Sequence, residues 1–362
     1  MTPRKRAESY ADVEAQLRAI ERGDGEGELS FGRGATLHVS SLSKPFFPKA
    51  GVTKGALMRY YTRVAPMLLP QIEGRALVLK RYPDGVAGPM FFQQNAGEHV
   101  PDVVRVATLD TVELGAKPRI IGGDLATLLY TVQLGTIEVH PWLSRVDDVD
   151  TPDRCLIDLD PGDDVPFADV AALAREVARI AEGQGLAVAL KTSGASGIHI
   201  VLPLPPRTSY ETSAELAVRL AEAVVAANPE TATVERSIKT RPKGSIYVDA
   251  LQNARGKSMA APYSVRARPA APVSAPLRPR ELTRRLRIDA FTVSTMPARL
   301  RRVGDLWEDA IATRPTARAL ARALAGLQDA SVAPPPRRER TGRSRAGGAH
   351  AGSTAGRRAR RA

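Results

Sequence analysis

Residues 155–162 read CLIDLDPG, and the way two aspartates sit inside this apolar run decides how the chain is built. Side chains of an extended strand alternate between its two faces. Cys155, Ile157 and Leu159 therefore share one face, which is wholly apolar and belongs to a core. Leu156, Asp158 and Asp160 share the other, so that face ends in two carboxylates about 7 Å apart along the backbone. Carboxylates that close repel each other and are costly to strip of water. A divalent cation between them removes the conflict, and hard oxygen donors on a rigid strand suit Mg²⁺ or Mn²⁺. A bare D-x-D also reads as a strand running out into solvent through the acidic turn Asp160-Pro161-Gly162-Asp163-Asp164, and the motif alone does not separate the two readings.

A third carboxylate shifts the balance. In SIYVDA (245–250), Tyr247 and Asp249 share one face while Ile246 and Val248 share the other, so again an aspartate ends an apolar strand. Three aspartates on neighbouring strands suit two metals about 4 Å apart, the arrangement for in-line phosphoryl transfer. Between the two strands lies LKTSGASGIHIVLPL (190–204). Ser193, Gly194 and Gly197 form a tight turn whose backbone N–H groups suit phosphate oxygens, with Lys191 and His199 flanking it as donors to a triphosphate. The turn itself carries no GK[ST] and no helix follows it directly, so it is not a P-loop. A lone histidine is more often structural; beside three strand-end aspartates, His199 reads as facing a ligand.

Outward from this centre, strands alternate with helices. ESYADVEAQLRAIER (8–22), TKGALMRYYTRVAPMLLP (53–70), DLATLLYTVQLG (124–135), PFADVAALAREVARIAEGQG (166–185) and SAELAVRLAEAVVAANP (213–229) carry helical spacing, and residues 278–327 look mostly helical. ATLHVS (35–40), RALVLKRYP (75–83), LAVALKTS (186–193) and IHIVLPL (198–204) read as strands. Residues 83–120 have no clear period and are expected to form a long loop, and 253–277 is Pro-rich and irregular. The alternation predicts a mixed α/β domain.

Composition narrows the partners. The 362 residues carry a net charge of +13, and residues 331–362 hold nine arginines against one glutamate, a net of +8. That tail has almost no large apolar groups, so it is expected to be disordered and to favour polyanions, nucleic acid first, unless it serves only solubility. No stretch of about 18 uncharged apolar residues exists, and the N-terminus lacks the apolar segment of a secretory signal. Cys155, the single cysteine, has no internal partner and reads as a small core residue rather than a nucleophile. These features place the chain in a bacterial cytoplasm, associated with the nucleoid, and not in a membrane.

The motifs DLDPG (158–162), TSGASGIHIVLPL (192–204) and IYVDALQNARGKSMAAPYSVRARP (246–269) resemble the polymerase domain of bacterial ATP-dependent DNA ligase D, a branch of the archaeo-eukaryotic primase superfamily. Residues 42–95, from LSKPFFP to FFQQN, resemble its substrate-binding half, and IEVHPWLSR (137–145) the segment before the D-x-D strand. The resemblance spans about residues 29–300. It implies an α+β primase-polymerase fold: an RRM-like mixed, largely antiparallel catalytic sheet flanked by helices, plus an N-terminal α/β substrate-binding half. It implies template-directed addition of nucleotides to a 3′ end, often ribonucleotides, with two Mn²⁺ or Mg²⁺ ions. Asp158, Asp160 and Asp249 match the family's catalytic metal ligands. Ser193, Gly194, His199 and Arg266 match its triphosphate contacts, and His140 and Gln252 match positions near the incoming nucleotide. Lys44 and Lys54 match residues that bind the 5′-phosphate of the downstream strand; the plain alternative is surface lysines. Phe91 and Phe92 match an aromatic pair beside the templating base, with core packing as the alternative.

The chain departs from the family in places. Ser196 stands where members often carry a lysine in the glycine turn, so Lys191, Arg241 or Lys243 is expected to supply the missing cation at the nucleotide. The loop before Pro118 diverges, and neither a KxDG ligase motif nor a His-rich phosphoesterase module occurs, which reads as a stand-alone polymerase. The expected layout is an N-terminal helical extension (1–28), the catalytic domain (29–300), a helical segment (301–330) and the tail (331–362). The expected function is a repair polymerase that fills short gaps in broken or gapped DNA during end joining or excision repair, with NTP or dNTP as substrate. A Ku-type end binder and a separate ligase are implied as partners by the resemblance alone. The rivals are a primase that starts strands unaided and a non-catalytic DNA-end-binding scaffold using the tail.

Overall fold

The computed structural model describes residues 3–111 and 115–332; Val112, Glu113, Leu114 and the Arg-rich tail beyond residue 332 lie outside the described residues. The chain begins with α1 (Pro3–Arg22), a hairpin of β1 (Gly27–Ser30) and β2 (Thr36–Val39), and a second short pair, β3 (Pro45–Phe47) and β4 (Val52–Thr53). Then comes α2 (Lys54–Ile72), whose first turn is capped by Thr53, its side chain accepting from the Ala56 N–H at 3.1 Å. Leu57, Tyr60, Tyr61, Val64 and Leu68 form its buried stripe.

A three-stranded antiparallel sheet follows, built from β5 (Leu77–Arg81), β6 (Phe91–Gln93) and, after the hairpin β7 (Val106–Thr111) and β8 (Gly115–Ile120) and helix α3 (Leu125–Gln133), β9 (Thr136–Pro141), in the order β6-β5-β9. Residues 83–120 are thus not one long loop. Their strands are short, β6 is exposed and Pro118 interrupts β8, so no alternation survives to mark them in sequence. The hairpin β10 (Ser144–Arg145) and β11 (Asp148–Pro152) leads into the C-terminal half.

That half is a six-stranded sheet of β12 (Arg154–Pro161), β13 (Ala189–Thr192), β14 (Ile198–Pro203), β15 (Ala232–Thr233), β16 (Ile246–Asp249) and β17 (Pro276–Leu277), in the order β15-β16-β12-β14-β13-β17. All pairs are antiparallel except β15 with β16. Between its strands run α4 (Phe167–Gly183) and α5 (Tyr210–Ala227), whose Val170, Leu173, Val177, Leu216 and Leu220 are buried. Cys155, Ile157 and Leu159 are fully buried, and the Cys155 thiol meets the Ser213 carbonyl of α5 at 3.5 Å. Burial pushes that thiol up to about 12, which makes it an inert core group.

The Pro-rich 253–277 segment has little regular structure yet is packed inside: Met259, Ala261, Tyr263, Val265, Val273 and Ala275 are buried. It joins the two sheets. The Ala261 N–H donates to the Val139 carbonyl of β9 at 2.9 Å, and the Thr192 N–H of β13 donates to the Ala275 carbonyl at 2.9 Å. Past β17 the chain forms only two single 3₁₀ turns, Pro279–Glu281 and Ile288–Ala290, before α6 (Met296–Val303), α7 (Leu306–Ala312) and α8 (Ala317–Val332), so α-helix in 278–327 begins only at Met296. Val13 and Leu17 of α1 and Trp307, Leu320 and Leu327 near the other end belong to the same core as the central strands, so the flanking segments are packed on the body. No helix among the described residues is long and apolar enough to cross a membrane.

Candidate active site

The register of the six-stranded sheet brings the motifs into one row. Asp158 in the middle of β12 lies opposite His199 of β14 on one side and Asp249 of β16 on the other, and His199 lies opposite Lys191 of β13. Directly opposite residues of an antiparallel pair share a face about 5 Å apart, so four ionisable groups from four strands run side by side. Asp160 stands two residues on, opposite Tyr247. Asn253 locks this arrangement: its side-chain oxygen accepts from the Leu156 N–H at 2.8 Å, and its amide donates to the Leu156 carbonyl at 2.7 Å and the Ala250 carbonyl at 2.8 Å.

Asp158 keeps 32% of its side-chain surface and lies 3.4 Å from His199 Nε2. Burial, then the charges of Asp160 and Asp249, push its carboxyl up to about 7. Asp160 is 55% exposed, with Arg241 Nη1 at 3.6 Å, and that guanidinium lies 4.6 Å from the centre of the Tyr247 ring. Asp249 accepts from the Leu251 N–H at 2.8 Å and from Gln252 Nε2 at 3.0 Å. Gln252 is thus bonded to an aspartate here, and Arg241 faces a carboxylate. Among the described residues no three His, Cys, Asp or Glu side chains are drawn together at the spacing of a formed metal centre. The donor set nevertheless fits a hard divalent cation. Three carboxylates share one edge, and burial together with the neighbouring charges of Asp160 and Asp249 disfavours the charged form of Asp158, a penalty that a bound cation cancels.

Lys191 is fully buried, its ammonium 2.5 Å from His199 Nδ1 and donating to Ser274 Oγ at 2.8 Å. Burial is the main cause pushing both Lys191 and His199 below their usual ranges. Lys191 sits against Nδ1, which leaves Nε2 of the ring facing Asp158. The glycine turn closes through Ser193, whose N–H donates to the Gly197 carbonyl at 2.9 Å and whose hydroxyl accepts from the Ala195 and Gly197 N–H groups at 3.1 and 3.0 Å. Those two N–H groups therefore have an internal partner. Gly194 has φ +74°, and a Cβ there would lie 2.6 Å from Arg266 Cγ. Arg266 Nη1 donates to the Ser193 carbonyl at 2.5 Å.

Glu138 escaped the sequence reading. It lies on β9, its side chain 3% exposed, and accepts from Arg266 Nε at 2.9 Å and from the Ala267 N–H at 3.1 Å. His140 Nε2 is 3.0 Å away and Lys80 Nζ 3.2 Å. Burial alone would push this carboxyl up; the His140 hydrogen bond and the Arg266 and Lys80 charges hold it well below the usual range. The signal was present: IEVH carries a carboxylate inside an apolar strand, as CLIDLD does.

The remaining candidates lie on the N-terminal half. The Lys54 N–H donates to the Lys44 carbonyl at 2.9 Å, which sets the two lysines side by side at the start of α2. Lys44 Nζ bonds Asp84 at 2.8 Å, and the buried Lys54 ammonium donates to the Ser40 carbonyl at 2.9 Å. Burial, then the Lys44 charge, pushes Lys54 down to about 8. Phe91 and Phe92 are 45% and 57% exposed, which removes the core-packing alternative. Arg81 lies 4.9 Å from the Phe91 ring centre and Lys80 5.9 Å from that of Phe92.

Comparison with known proteins identifies the family. The family described as "LigD, primase-polymerase domain" matches residues 53–307. The multifunctional non-homologous end joining protein LigD of Pseudomonas aeruginosa is 30% identical over 298 residues, covering 81% of this chain and 35% of that protein. The bifunctional non-homologous end joining protein LigD of Bacillus subtilis is 33% identical over 269 residues, covering 74% of this chain and 43% of that protein. The chain thus spans well under half the length of these relatives. Among solved structures, the polymerase domain from Mycobacterium tuberculosis ligase D in complex with DNA superposes with a TM-score of 0.71 at 31% identity, covering 77% of this chain and 99% of that one.

Proposed function

This chain belongs to the LigD primase-polymerase family, and from that premise we propose that it is an end-joining repair polymerase that extends a primer 3′-OH to fill short gaps in DNA. The single observation that carries the reading is the cross-strand row Lys191–His199–Asp158–Asp249, with Asp160 beside it. Three carboxylates ending apolar strands would otherwise be an uncompensated cost. Asp158, Asp160 and Asp249 would hold Mn²⁺ or Mg²⁺, which when bound lowers the pKa of the attacking hydroxyl and neutralises the leaving pyrophosphate. Arg266, from beside the Ser193 turn, and His199, through Nε2, orient the triphosphate and offset the charge that grows on it. Lys191 fixes the His199 ring from behind. His140 and Gln252 lie toward the incoming nucleotide, and Phe91 and Phe92 offer exposed ring faces on which a templating base stacks. Lys44 and Lys54 receive the 5′-phosphate across the gap, Lys44 by releasing Asp84.

Primer extension on a gapped, 5′-phosphorylated duplex, with each metal and with both ribo- and deoxyribonucleotides, tests the reading. Asp158→Ala and Asp249→Ala are expected to lose extension by at least about a thousandfold while retaining duplex binding, since each removes a ligand of the reacting centre. Extension retained in either variant would refute the site. The same assay without a primer separates gap filling from strand initiation.

A further inference from the structure

The Glu138 carboxylate lies where the two halves of the molecule meet, and it serves both. From the catalytic half it accepts from Arg266 Nε at 2.9 Å and the Ala267 N–H at 3.1 Å. From its own sheet it bonds His140, two residues along β9, at 3.0 Å and Lys80, directly opposite on β5, at 3.2 Å. The next strand of that sheet places Phe92 opposite Lys80, whose ammonium lies 5.9 Å from the Phe92 ring centre. Arg266 in turn donates to the Ser193 carbonyl of the glycine turn at 2.5 Å. One buried anion thus holds three basic side chains, one of which, Lys80, reaches toward the exposed Phe92 ring.

We infer that Glu138 is a positioning residue: it fixes Arg266 and His140 for the triphosphate and, through Lys80, ties their placement to the Phe92 platform. This rests on the polymerase reading above for what the groups contact, but the positioning itself is a matter of nucleotide affinity and is measurable without turnover. Without the anion, Arg266 and Lys80 repel each other, and the guanidinium is free to swing from the Ser193 turn. A neutral acceptor in place of the carboxylate keeps the hydrogen-bond geometry but removes the attraction between opposite charges.

The test is ATP binding by calorimetry, run beside primer extension and thermal unfolding on the full chain. Glu138→Gln should bind ATP about tenfold more weakly, a loss of the size expected for a charge-assisted contact. The KM for the incoming nucleotide should rise in parallel, with kcat within about threefold of wild type. Glu138→Asp keeps the buried charge, so the basic groups stay compensated and the fold is kept. Being one methylene shorter, it cannot hold His140 and Arg266 together, and it should lose about threefold in ATP affinity. Lys80→Met should raise the nucleotide KM on a templated gap about threefold. ATP affinity equal to wild type in both Glu138 variants overturns the inference, whatever the extension assay gives. An unchanged templated KM in Lys80→Met overturns the tie to Phe92. Wild-type protein that binds ATP in a Glu138-dependent way yet extends no primer would sink the polymerase reading and leave the positioning role standing.

Discussion

Lys54 shows how one buried side chain sets a measurable property. Its ammonium sits against the Ser40 carbonyl beside Lys44, and burial lowers it to about 8 from the ordinary lysine value near 10.4. Below pH 8 it is charged in both the folded and unfolded chain; between about 8 and 10 the unfolded chain binds more protons, so this residue makes stability rise with pH there. Affinity for a 5′-phosphate runs the other way, because the anion needs the charged form. The ratio of extension rates on gaps with and without a 5′-phosphate should therefore fall as pH rises from 7 to 9.5. In Lys54→Ala the ratio should be near one and flat; a wild-type ratio that does not change with pH removes Lys54 from the phosphate site. At this scale the sequence marked Asp158, Asp160 and Asp249 because carboxylates ending apolar strands are chemically out of place. It did not mark Glu138, whose meaning depends on Arg266, 128 residues away in the chain.

The glycine turn between β13 and β14 is where element and site meet. Gly197 lets the chain enter β14 with its Cα against β12: a Cβ there would lie 1.9 Å from the Leu159 carbonyl oxygen, which belongs to the backbone and cannot move aside alone. Gly197→Ala should therefore push β14 off β12, destabilising the protein by about 3 kcal/mol or more. Because His199 is two residues on, extension should fall along with the urea midpoint. A variant as stable and active as wild type would show that the close approach at Gly197 is not required. The long apolar elements were legible: α2, α3, α4 and α5 each follow a clear helical stripe, and β12, β14 and β16 follow apolar runs. The short strands β6 to β11 were not, because strands of 2 to 6 residues with exposed or proline-bearing positions take their pairing from neighbours, not from their own pattern.

On the scale of the whole molecule, the charge is unevenly spread. Residues 331–362 contribute a net +8 of the total of +13. If the tail contacts DNA backbone, its removal should make the plot of log affinity against log salt shallower, since each phosphate neutralised contributes about −0.9 to the slope. Extension at a saturating gap should be unchanged; an identical slope with and without the tail would restrict its role to solubility. The sequence by itself determined the charge balance, the helices with strong stripes, and the chemistry of the strand-end aspartates, because these depend on residue type and local period. Only the tertiary structure decided which groups stand side by side. The register that sets Lys191, His199, Asp158 and Asp249 in one row, and the contact that seats Glu138 under Arg266, join residues from 8 to 128 positions apart. Hydrogen-bonded pairing between strands fixes such meetings, and which strand pairs with which, in what register, leaves no periodic trace in the chain.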